Sequence, residues 1–594
     1  MKNSFFKTVL AVICGILILQ IVGFIFFMSS LVGVAASGGK NVILPRNGVL
    51  DIDLSKVLVA EQGRDNSMPD LQSIRSGEMI ATVGLWDVVQ ALKAAAADPS
   101  VQYVLLRPEG SLTGISTTEE LRASLADFRR SGKAVVAYLQ NPGNASYYLA
   151  TVADKIYMSN VHGGQNSLLG LTSQTMYLKD VLDKLGVNVQ LIRHGKYKSA
   201  GEMFVRNSSS PENREQNQAL VDAMWKAISE PMAEAREIEL ARLNSLIDNL
   251  ELEQPEDFLE AGLVDSLMDH EALVAQLCTL AQVQKSEDLH LIPLADYISA
   301  KVKPAVGTTK VAVLYADGEI VDSDDPEQIS GDRFVREIDK LRKDNSVKAV
   351  VLRVNSPGGS VSASEKIRSA LDLLQKEKPL VASYGNYAAS GGYWISNGCS
   401  RIFADRSTVT GSIGVFSMIP EFSKVIRKIG VGIEVIGSNK HSGMLSLIRP
   451  FDAKETAYLQ ASVEDIYERF VNLVAEGRDM DSNAVDAIAQ GRVWSGSDAL
   501  RIGLVDEIGT LEDAIAYAAS QAGLVSADDY VVSAAPAVPT FMEQLLKGIG
   551  QLKEEPSILS GTPFAPMASS VEAVLSEKNP GQVFARLPYS LEIR

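Results

Sequence analysis

The chain has 594 residues, of which 46% are hydrophobic and 22% are charged. This length predicts more than one domain, since a domain averages roughly 150 residues, and the composition is that of a globular protein. The net charge of -17 disfavours a nucleic-acid partner, because phosphate contacts need clustered lysine and arginine. Cys14, Cys278 and Cys399 are too few and too widely spaced for a metal cluster, although a Cys278–Cys399 bridge stays open. We expect neither a metal nor a cofactor.

The first element is an apolar segment near the N-terminus. Residues 9–36 are almost continuously apolar and carry no charge. A helix of ~20 such residues can span a bilayer, so we predict a membrane anchor. The alternative is a cleaved signal peptide with a candidate cleavage site at residues 34–36, but the apolar region of such peptides is only ~7–15 residues long. Lys2 and Lys7 precede the segment, which favours a cytoplasmic position for residues 1–8 and export of the body.

The body of the chain is a duplication with an offset near 245 residues. Three pairs of segments resemble each other in the same order: 104–107 and 350–353, 133–138 and 378–383, and 261–265 and 502–506. The period is too long for a solenoid and fits two copies of one domain. We therefore predict an N-terminal repeat at 47–300, a linker at 301–308, a C-terminal repeat at 309–525 and a tail at 526–594.

Within each repeat, short apolar runs alternate with helical patterns. Residues 48–51, 312–315, 348–354 and 380–383 are predicted strands, and residues 362–375 have helical spacing of apolar side chains. Residues 211–247 and 452–477 are predicted long helices in equivalent places, and the tail holds an amphipathic stretch at 540–552. The alternation predicts an α/β fold in which helices flank a parallel sheet.

A candidate nucleophile, Ser390, lies in the second repeat between Ala389 and Gly391. Small neighbours leave a serine accessible at a tight strand-to-helix turn, as in a nucleophile elbow, although the usual G-x-S-x-G pattern is absent. The alternative is a glycine-rich turn whose serine caps a helix. Upstream, the loop Asn355-Ser-Pro-Gly-Gly-Ser360 directly follows a predicted strand, so its backbone N–H groups could serve as oxyanion donors. A plain structural turn explains this loop equally well.

Four motifs in order identify a resemblance to the signal peptide peptidase A family in its long, duplicated, membrane-anchored form. They are the 355–360 loop, Ala388-Ala-Ser-Gly-Gly-Tyr-Trp394, Thr410-Gly-Ser-Ile-Gly-Val415 and residues 491–506. The resemblance covers nearly the whole chain. It implies two tandem domains of the Clp-protease/crotonase fold and a serine peptidase with a Ser–Lys dyad rather than a Ser–His–Asp triad.

The resemblance places the lysine of the dyad in the other repeat. Arg193-His-Gly-Lys-Tyr-Lys-Ser-Ala200 matches the family's lysine segment with Lys198 at the key position. In the C-terminal repeat Ser442 stands in place of that lysine, and in the N-terminal repeat Ala145 stands in place of Ser390 at the 245 offset. We therefore predict one complete site where the two repeats meet, although a lysine in a turn is most often a surface residue.

The resemblance also assigns the supporting residues. Gly359 and Gly391 are the expected oxyanion donors, and Ser412 matches a serine that orients the lysine, with a helix-cap role as the alternative. The histidines nearest the lysine segments, His194 and His441, could form a Ser–His pair, but no aspartate partner is evident for either.

The implied function is a membrane-anchored endopeptidase that degrades cleaved signal peptides. The expected place is the bacterial inner membrane, with the catalytic body on the extracytoplasmic side. Expected partners are peptide substrates, the membrane and further copies of the chain in a closed ring, for which a tetramer is one candidate. The alternatives are a crotonase-like acyl-CoA enzyme, which more often uses paired glutamates, and a non-catalytic peptide-binding scaffold.

Overall fold

The computed structural model describes residues 44–45, 47–64, 80–110, 113–302, 307–325, 328–537 and 583–586. Strands of the first half are β1 Gly48–Asp53, β2 Val57–Ala60, β3 Ala81–Gly84, β4 Val101–Arg107, β5 Val135–Leu139, β6 Lys155–Ser159, β7 Asn188–His194, β8 Ser266–Met268 and β9 His290–Pro293. Its helices are α1 Leu85–Ala97, α2 Ile115–Arg130, α3 Asn144–Ala150, α4 Lys179–Leu185, α5 Glu202–Val205, α6 Pro211–Ala235, α7 Leu240–Asp248, α8 Pro255–Glu260, α9 His270–Leu280 and α10 Leu294–Lys301.

The second half repeats much of this order and has additional short strands. Its strands are β10 Lys310–Asp317, β11 Ile320–Val321, β12 Ile329–Ser330, β13 Val347–Ser356, β14 Gly358–Ser360, β15 Leu380–Ala389, β16 Ile402–Ala404, β17 Val409–Gly411, β18 Val415–Glu421, β19 Val493–Ser495, β20 Glu507–Ile508, β21 Val531–Ala535 and β22 Phe584–Arg586. Its helices are α11 Gly331–Lys343, α12 Val361–Gln375, α13 Gly391–Ser396, α14 Ser423–Lys428, α15 Ala453–Arg478, α16 Ser482–Ile488, α17 Gly496–Arg501 and α18 Leu511–Gln521.

The main sheets of the two halves have the same strand order. The first half has the parallel order β8-β6-β5-β4-β1-β9, and the second has β20-β16-β15-β13-β10-β21, with β17 also pairing with β15. The central strands are buried on both faces and rich in valine and leucine, as parallel strands covered by helices must be. The predicted α/β class, the parallel sheets and the duplication are confirmed.

Two features of the chain differ from the sequence prediction. The predicted helix at 211–247 is two helices, α6 and α7, because Glu237 adopts a positive φ of 53° and ends the first helix. The sheet of the second half also continues into the predicted tail, since β21 pairs in parallel with β10.

Several further expectations concern the anchor, the linker, the tail and the cysteines. The predicted anchor at 9–36, part of the linker and the stretch at 540–552 lie outside the described residues. Among the described residues, no helix combines the length and the apolarity needed to cross a membrane. Cys278 and Cys399 are both buried and free, so the bridge left open by the sequence is not formed.

A third sheet joins the two halves and carries the candidate site. Its order is β12-β11-β14-β22-β18-β7, in which β7 comes from the first half and pairs antiparallel with β18 of the second. The register runs from Val415 opposite His194 to Glu421 opposite Asn188. The residues just after β7 and just before β18 are therefore held at one place between the halves.

A buried ionic network also connects the halves. The Arg353 guanidinium lies 2.7 Å from Glu61 and 2.6 Å from Glu120, and all three side chains are almost fully buried. Glu120 also accepts the Leu511 N–H at 2.9 Å. A buried charge left without its partner costs about 3–5 kcal/mol, so these contacts favour a single arrangement of the two halves.

Candidate active site

Ser390 lies at a sharp turn between strand β15 and helix α13. Its backbone angles, φ 55° and ψ −113°, place a non-glycine residue in a sparsely populated region. The turn is held on both sides, because the Ser390 N–H donates to Gly411 O at 2.8 Å and the Trp394 N–H donates to Ser390 O at 2.8 Å. The expected strand-to-helix elbow is present, and such strain is typical of a positioned nucleophile.

The accessibility expected of this serine is not observed. Ser390 has 0% of its surface exposed. Helix α13, which begins at the next residue, contacts strand β22 of the C-terminal segment, and the Lys198 side chain lies against the hydroxyl. The small neighbours of Ser390 therefore admit other parts of the chain rather than solvent.

Lys198 and Ser412 meet Ser390 inside the protein. The Lys198 Nζ lies 2.8 Å from Ser390 Oγ, 3.0 Å from Ser412 Oγ and 3.2 Å from Ser412 O. All three residues are fully buried. The lysine predicted in one half is therefore brought to the serine predicted in the other.

Burial sets the protonation of this lysine. The pKa of Lys198 is well below its ordinary value because the side chain is removed from water, which disfavours the charged form. A neutral amine can accept the proton of a serine hydroxyl at the observed distance. Arginine could not take this role, because its guanidinium stays charged.

The loop that carries Lys198 is held by contacts that the sequence did not indicate. Arg193 donates to Lys198 O at 2.7 Å and to the buried Glu202 at 3.0 Å. Gln216, also buried, donates to Tyr197 O at 2.9 Å. Arg193 falls within the lysine segment, whereas no sequence motif marks Glu202 or Gln216, because their burial follows only from the fold.

Gly491 of the second half packs directly against this loop. A Cβ at Gly491 would lie 2.5 Å from the Lys198 Cβ, and its φ of 80° is left-handed. The motif at 491–506 therefore begins with a residue whose missing side chain leaves room for the lysine.

The two glycines expected to be oxyanion donors lie side by side. A Cβ built on Gly391 would lie 3.0 Å from Gly359 N, so the backbone nitrogens of both residues border the same small space. Gly359 has a φ of 157°, and a Cβ there would lie 1.9 Å from Ile320 O, which excludes any side chain. The backbone of the 355–360 loop therefore lies close to the turn that carries Ser390.

Ser412 is not a helix cap. It has a φ of 51°, its N–H donates to Arg492 O at 2.7 Å, and the element that follows is strand β18. Its hydroxyl faces the Lys198 amine, so of the two roles considered for it the structure favours orienting the lysine.

The two histidines considered as bases have other neighbours. His194 stacks on Tyr467 with ring centroids 3.9 Å apart. His441 Nδ1 lies 3.0 Å from Glu455, which also pairs with Arg449 at 2.7 Å. His441, Asp452 and Glu455 could together approach a metal ion, but Asp452 and Glu455 already form the cap of helix α15.

The register of the duplication corrects one equivalence. The Tyr147 hydroxyl donates to Leu263 O and the Tyr393 hydroxyl donates to Leu504 O, so these tyrosines are counterparts separated by 246 residues (393 − 147). Asn144, rather than Ala145, therefore stands in place of Ser390. The offset of 245 was wrong by one residue because one residue of length difference precedes this turn.

The second set of equivalent positions lacks the functional groups. Asn144 donates to Gly170 O at 2.9 Å, and Ser442 is exposed and donates to Asn439 O at 2.9 Å. Neither side chain is a basic amine. Of the two equivalent pairs of residues, Ser390 with Lys198 offers both a hydroxyl and a basic amine, whereas Asn144 with Ser442 does not.

Comparison with known proteins shows which family the chain belongs to. The family model described as Peptidase family S49 matches residues 127–284 and 372–525, one segment in each half. Protease 4 of Haemophilus influenzae is 34% identical over 513 residues, which cover 83% of this chain and 82% of that protein. Serine protease SPPA, chloroplastic, of Arabidopsis thaliana is 30% identical over 466 residues, covering 77% and 68%. Putative signal peptide peptidase SppA of Enterococcus faecium is 39% identical over 212 residues, covering 35% and 62%.

One matched segment lies within each half of the fold, and the chain covers more than two thirds of two relatives that are named as proteases. The chain therefore belongs to peptidase family S49 and is a serine peptidase.

Proposed function

We propose that the chain is an endopeptidase in which Ser390 is the nucleophile and Lys198 is the general base. The distance of 2.8 Å between Lys198 Nζ and Ser390 Oγ in a fully buried site carries this proposal. Neither alternative function, an acyl-CoA enzyme or a non-catalytic scaffold, requires this pair. Each half is assigned to the Clp-protease/crotonase fold, with residues 47–300 supplying the lysine and 309–525 the serine.

The reaction follows from the positions of these groups. Ser390 Oγ attacks the scissile carbonyl carbon while the neutral Lys198 amine takes the hydroxyl proton. The N–H groups of Gly359 and Gly391 stabilise the oxyanion, and Lys198 passes its proton to the leaving amine. Lys198 then activates the water that hydrolyses the acyl-enzyme. The Ser412 hydroxyl and carbonyl orient the amine throughout.

The proposed substrates are signal peptides left after export. The apolar segment at 9–36 would hold the enzyme at the bacterial inner membrane, where such remnants remain, with the catalytic body on the extracytoplasmic side. A similar protein in Enterococcus faecium is described as a putative signal peptide peptidase. These two observations support the proposed substrate class and place.

We further propose a closed ring of chains in which one strand of each copy pairs with the next. Strand β7 pairs with β18, and their counterparts at the 244 offset of Gly186 and Gly430 (430 − 186) are residues 432–438 and 171–177. Among the described residues, neither counterpart lies in a strand ladder. Segment 432–438 exposes apolar side chains, with Ile436 90% exposed. Pairing of 432–438 with 171–177 of a second copy would be head-to-tail, which favours a ring.

Replacing either member of the dyad removes peptide hydrolysis. Ser390→Ala and Lys198→Ala are each expected to lower kcat on a synthetic signal peptide by at least about 10²–10⁴-fold, because each removes a chemical participant. The double variant should be no slower than either single variant, since the residues act as a unit. The neighbouring exposed Lys196→Ala is the matched control and should keep wild-type activity. Substantial turnover by Lys198→Ala would contradict the dyad.

Activity rises with pH to a plateau. The neutral amine is the active form, and burial lowers the pKa of Lys198, so this form becomes populated at a lower pH than for a free lysine. The measurement is kcat/KM against pH, with and without EDTA. An acid optimum, or loss of activity with the chelator, would refute this mechanism.

The ring is tested by the mass of the full-length protein in detergent. Light scattering should give a protein mass that corresponds to several chains of 64.0 kDa rather than to one. Ile436→Asp should shift this mass to the monomer, because it places a charge in the proposed junction. Val525→Asp, at a position that is 95% exposed and outside the junction, should leave the mass unchanged. A wild-type monomer, or an unchanged mass for Ile436→Asp, would overturn the ring.

A further inference from the structure

A buried amide of the first half lies beneath the loop that carries Lys198. Gln216 is in the second turn of helix α6, and only 1% of its surface is exposed. Its Nε2 donates to Tyr197 O at 2.9 Å and lies 3.2 Å from Ser199 Oγ. Tyr197 and Ser199 are the residues on either side of Lys198. One side chain therefore contacts the loop both before and after the lysine.

The same amide also contacts the second half. Gln216 Oε1 accepts the Val493 N–H at 3.3 Å. Val493 begins strand β19 and lies opposite Gly411 of β17. Gly411 accepts the Ser390 N–H at 2.8 Å and directly precedes Ser412. Gln216 therefore links the lysine loop to the strand pair that positions Ser390 and Ser412.

The backbone of Tyr197 is bonded on both sides. Its N–H donates to Gln490 O at 2.9 Å, and its carbonyl accepts from Gln216. The first bond joins backbone to backbone, so no substitution of Gln490 removes the acceptor. The second bond depends on a side chain that lies outside the loop. Gln216 is therefore a contact that one substitution can remove while the sequence of the loop stays unchanged.

The partners fix the orientation of the Gln216 amide. A carbonyl such as Tyr197 O can only accept, and a backbone N–H such as that of Val493 can only donate, so the NH₂ group faces Tyr197 and the oxygen faces Val493. An apolar side chain of similar length would leave both backbone groups buried without these bonds, which is unfavourable. We expect the loop and strand β19 to separate until water can bond to both groups.

We infer that Gln216 is a positioning residue, which holds the Lys198 amine against Ser390 and out of water by acting through the backbone of the loop. The inference rests on the proposed function of Ser390 and Lys198. The pKa of the amine is lowered because the side chain is buried, so water entering beside the loop would raise that pKa and favour the charged form. Gln216 thus keeps the base in its active form without being a chemical participant.

The pH profile of Gln216→Met tests this role. On a synthetic signal peptide kcat should fall about 10- to 100-fold, because a small displacement of a reacting group is costly. The rise of kcat/KM should also shift to higher pH, because Lys198 then loses its proton later. The matched control is Gln218→Met, an exposed glutamine of the same helix, which should change neither. An equal loss at every pH, or no loss, would overturn the inference.

The pKa of Lys198 tests the same inference without turnover. Full-length Ser390→Ala protein, with and without Gln216→Met, would be labelled with ¹³C at lysine Cε and titrated by NMR. The pKa of Lys198 should be higher in the double variant, and equal values would overturn the inference. Absence of hydrolysis by the wild-type protein would instead contradict the proposed function, and this comparison of pKa values would still decide the role of Gln216.

A shorter amide provides the second variant. Gln216→Asn keeps both polar groups but is shorter by one CH₂ group, so it cannot bond to Tyr197 O and the Val493 N–H together. It should shift the pH profile and the pKa of Lys198 in the same direction as Gln216→Met, and it replaces that variant in both measurements if Gln216→Met does not fold. A folded Gln216→Asn protein with the wild-type pH profile would overturn the inference.

Discussion

The Lys198 amine is removed completely from water and placed against a serine hydroxyl, and much of the surrounding structure serves this contact. A lysine in such a place is stable only if it gives up its charge or finds a partner for it. Here its neighbours are the hydroxyls of Ser390 and Ser412 and the Ser412 carbonyl, which suit a neutral amine. The same desolvation that costs free energy of folding thus lowers the pKa of the amine and favours its neutral form, which is the form that can accept a proton.

The duplicated fold supplies the enclosure. Neither half surrounds the lysine alone, because Lys198 follows β7 of the first half while Ser390, Ser412 and Gly491 belong to the second. The antiparallel pairing of β7 with β18 and the buried Arg353 network hold the halves in one arrangement. Once two repeats are joined in this way, a single lysine and a single serine suffice for one site, and the equivalent positions at Asn144 and Ser442 are free to change.

Local patterns predicted much of the fold. Apolar periodicity reflects which face is buried, and it made recognisable the strands at 348–354 and 380–383 and the helices at 362–375 and 452–477.

The break near Glu237 was missed because a positive φ at a non-glycine residue leaves no mark in composition. The one-residue shift that makes Asn144 the counterpart of Ser390 was missed because a length difference of one residue lies between this turn and the segments at 133–138 and 378–383, which have an offset of 245. The paired tyrosine hydroxyl contacts reveal the shift. Strands β21 and β22 were missed because their partners are distant in sequence, and long-range pairing is not encoded in a short window. At the site, residue types suggested Ser390 and the glycine loop, whereas Lys198 depended on family resemblance.

The most direct measurement of the central claim is the pKa of Lys198 itself. Full-length Ser390→Ala protein labelled with ¹³C at lysine Cε would be titrated by NMR, with the Lys198 signal assigned by its loss in the Ser390→Ala, Lys198→Met protein. Replacing the serine removes the proposed nucleophile, so no peptide bond is hydrolysed during the titration, and it leaves the buried amine in place. We predict that Lys198 titrates well below the other lysines, because burial disfavours its charged form. Titration of Lys198 together with the exposed lysines would contradict a neutral lysine as the base.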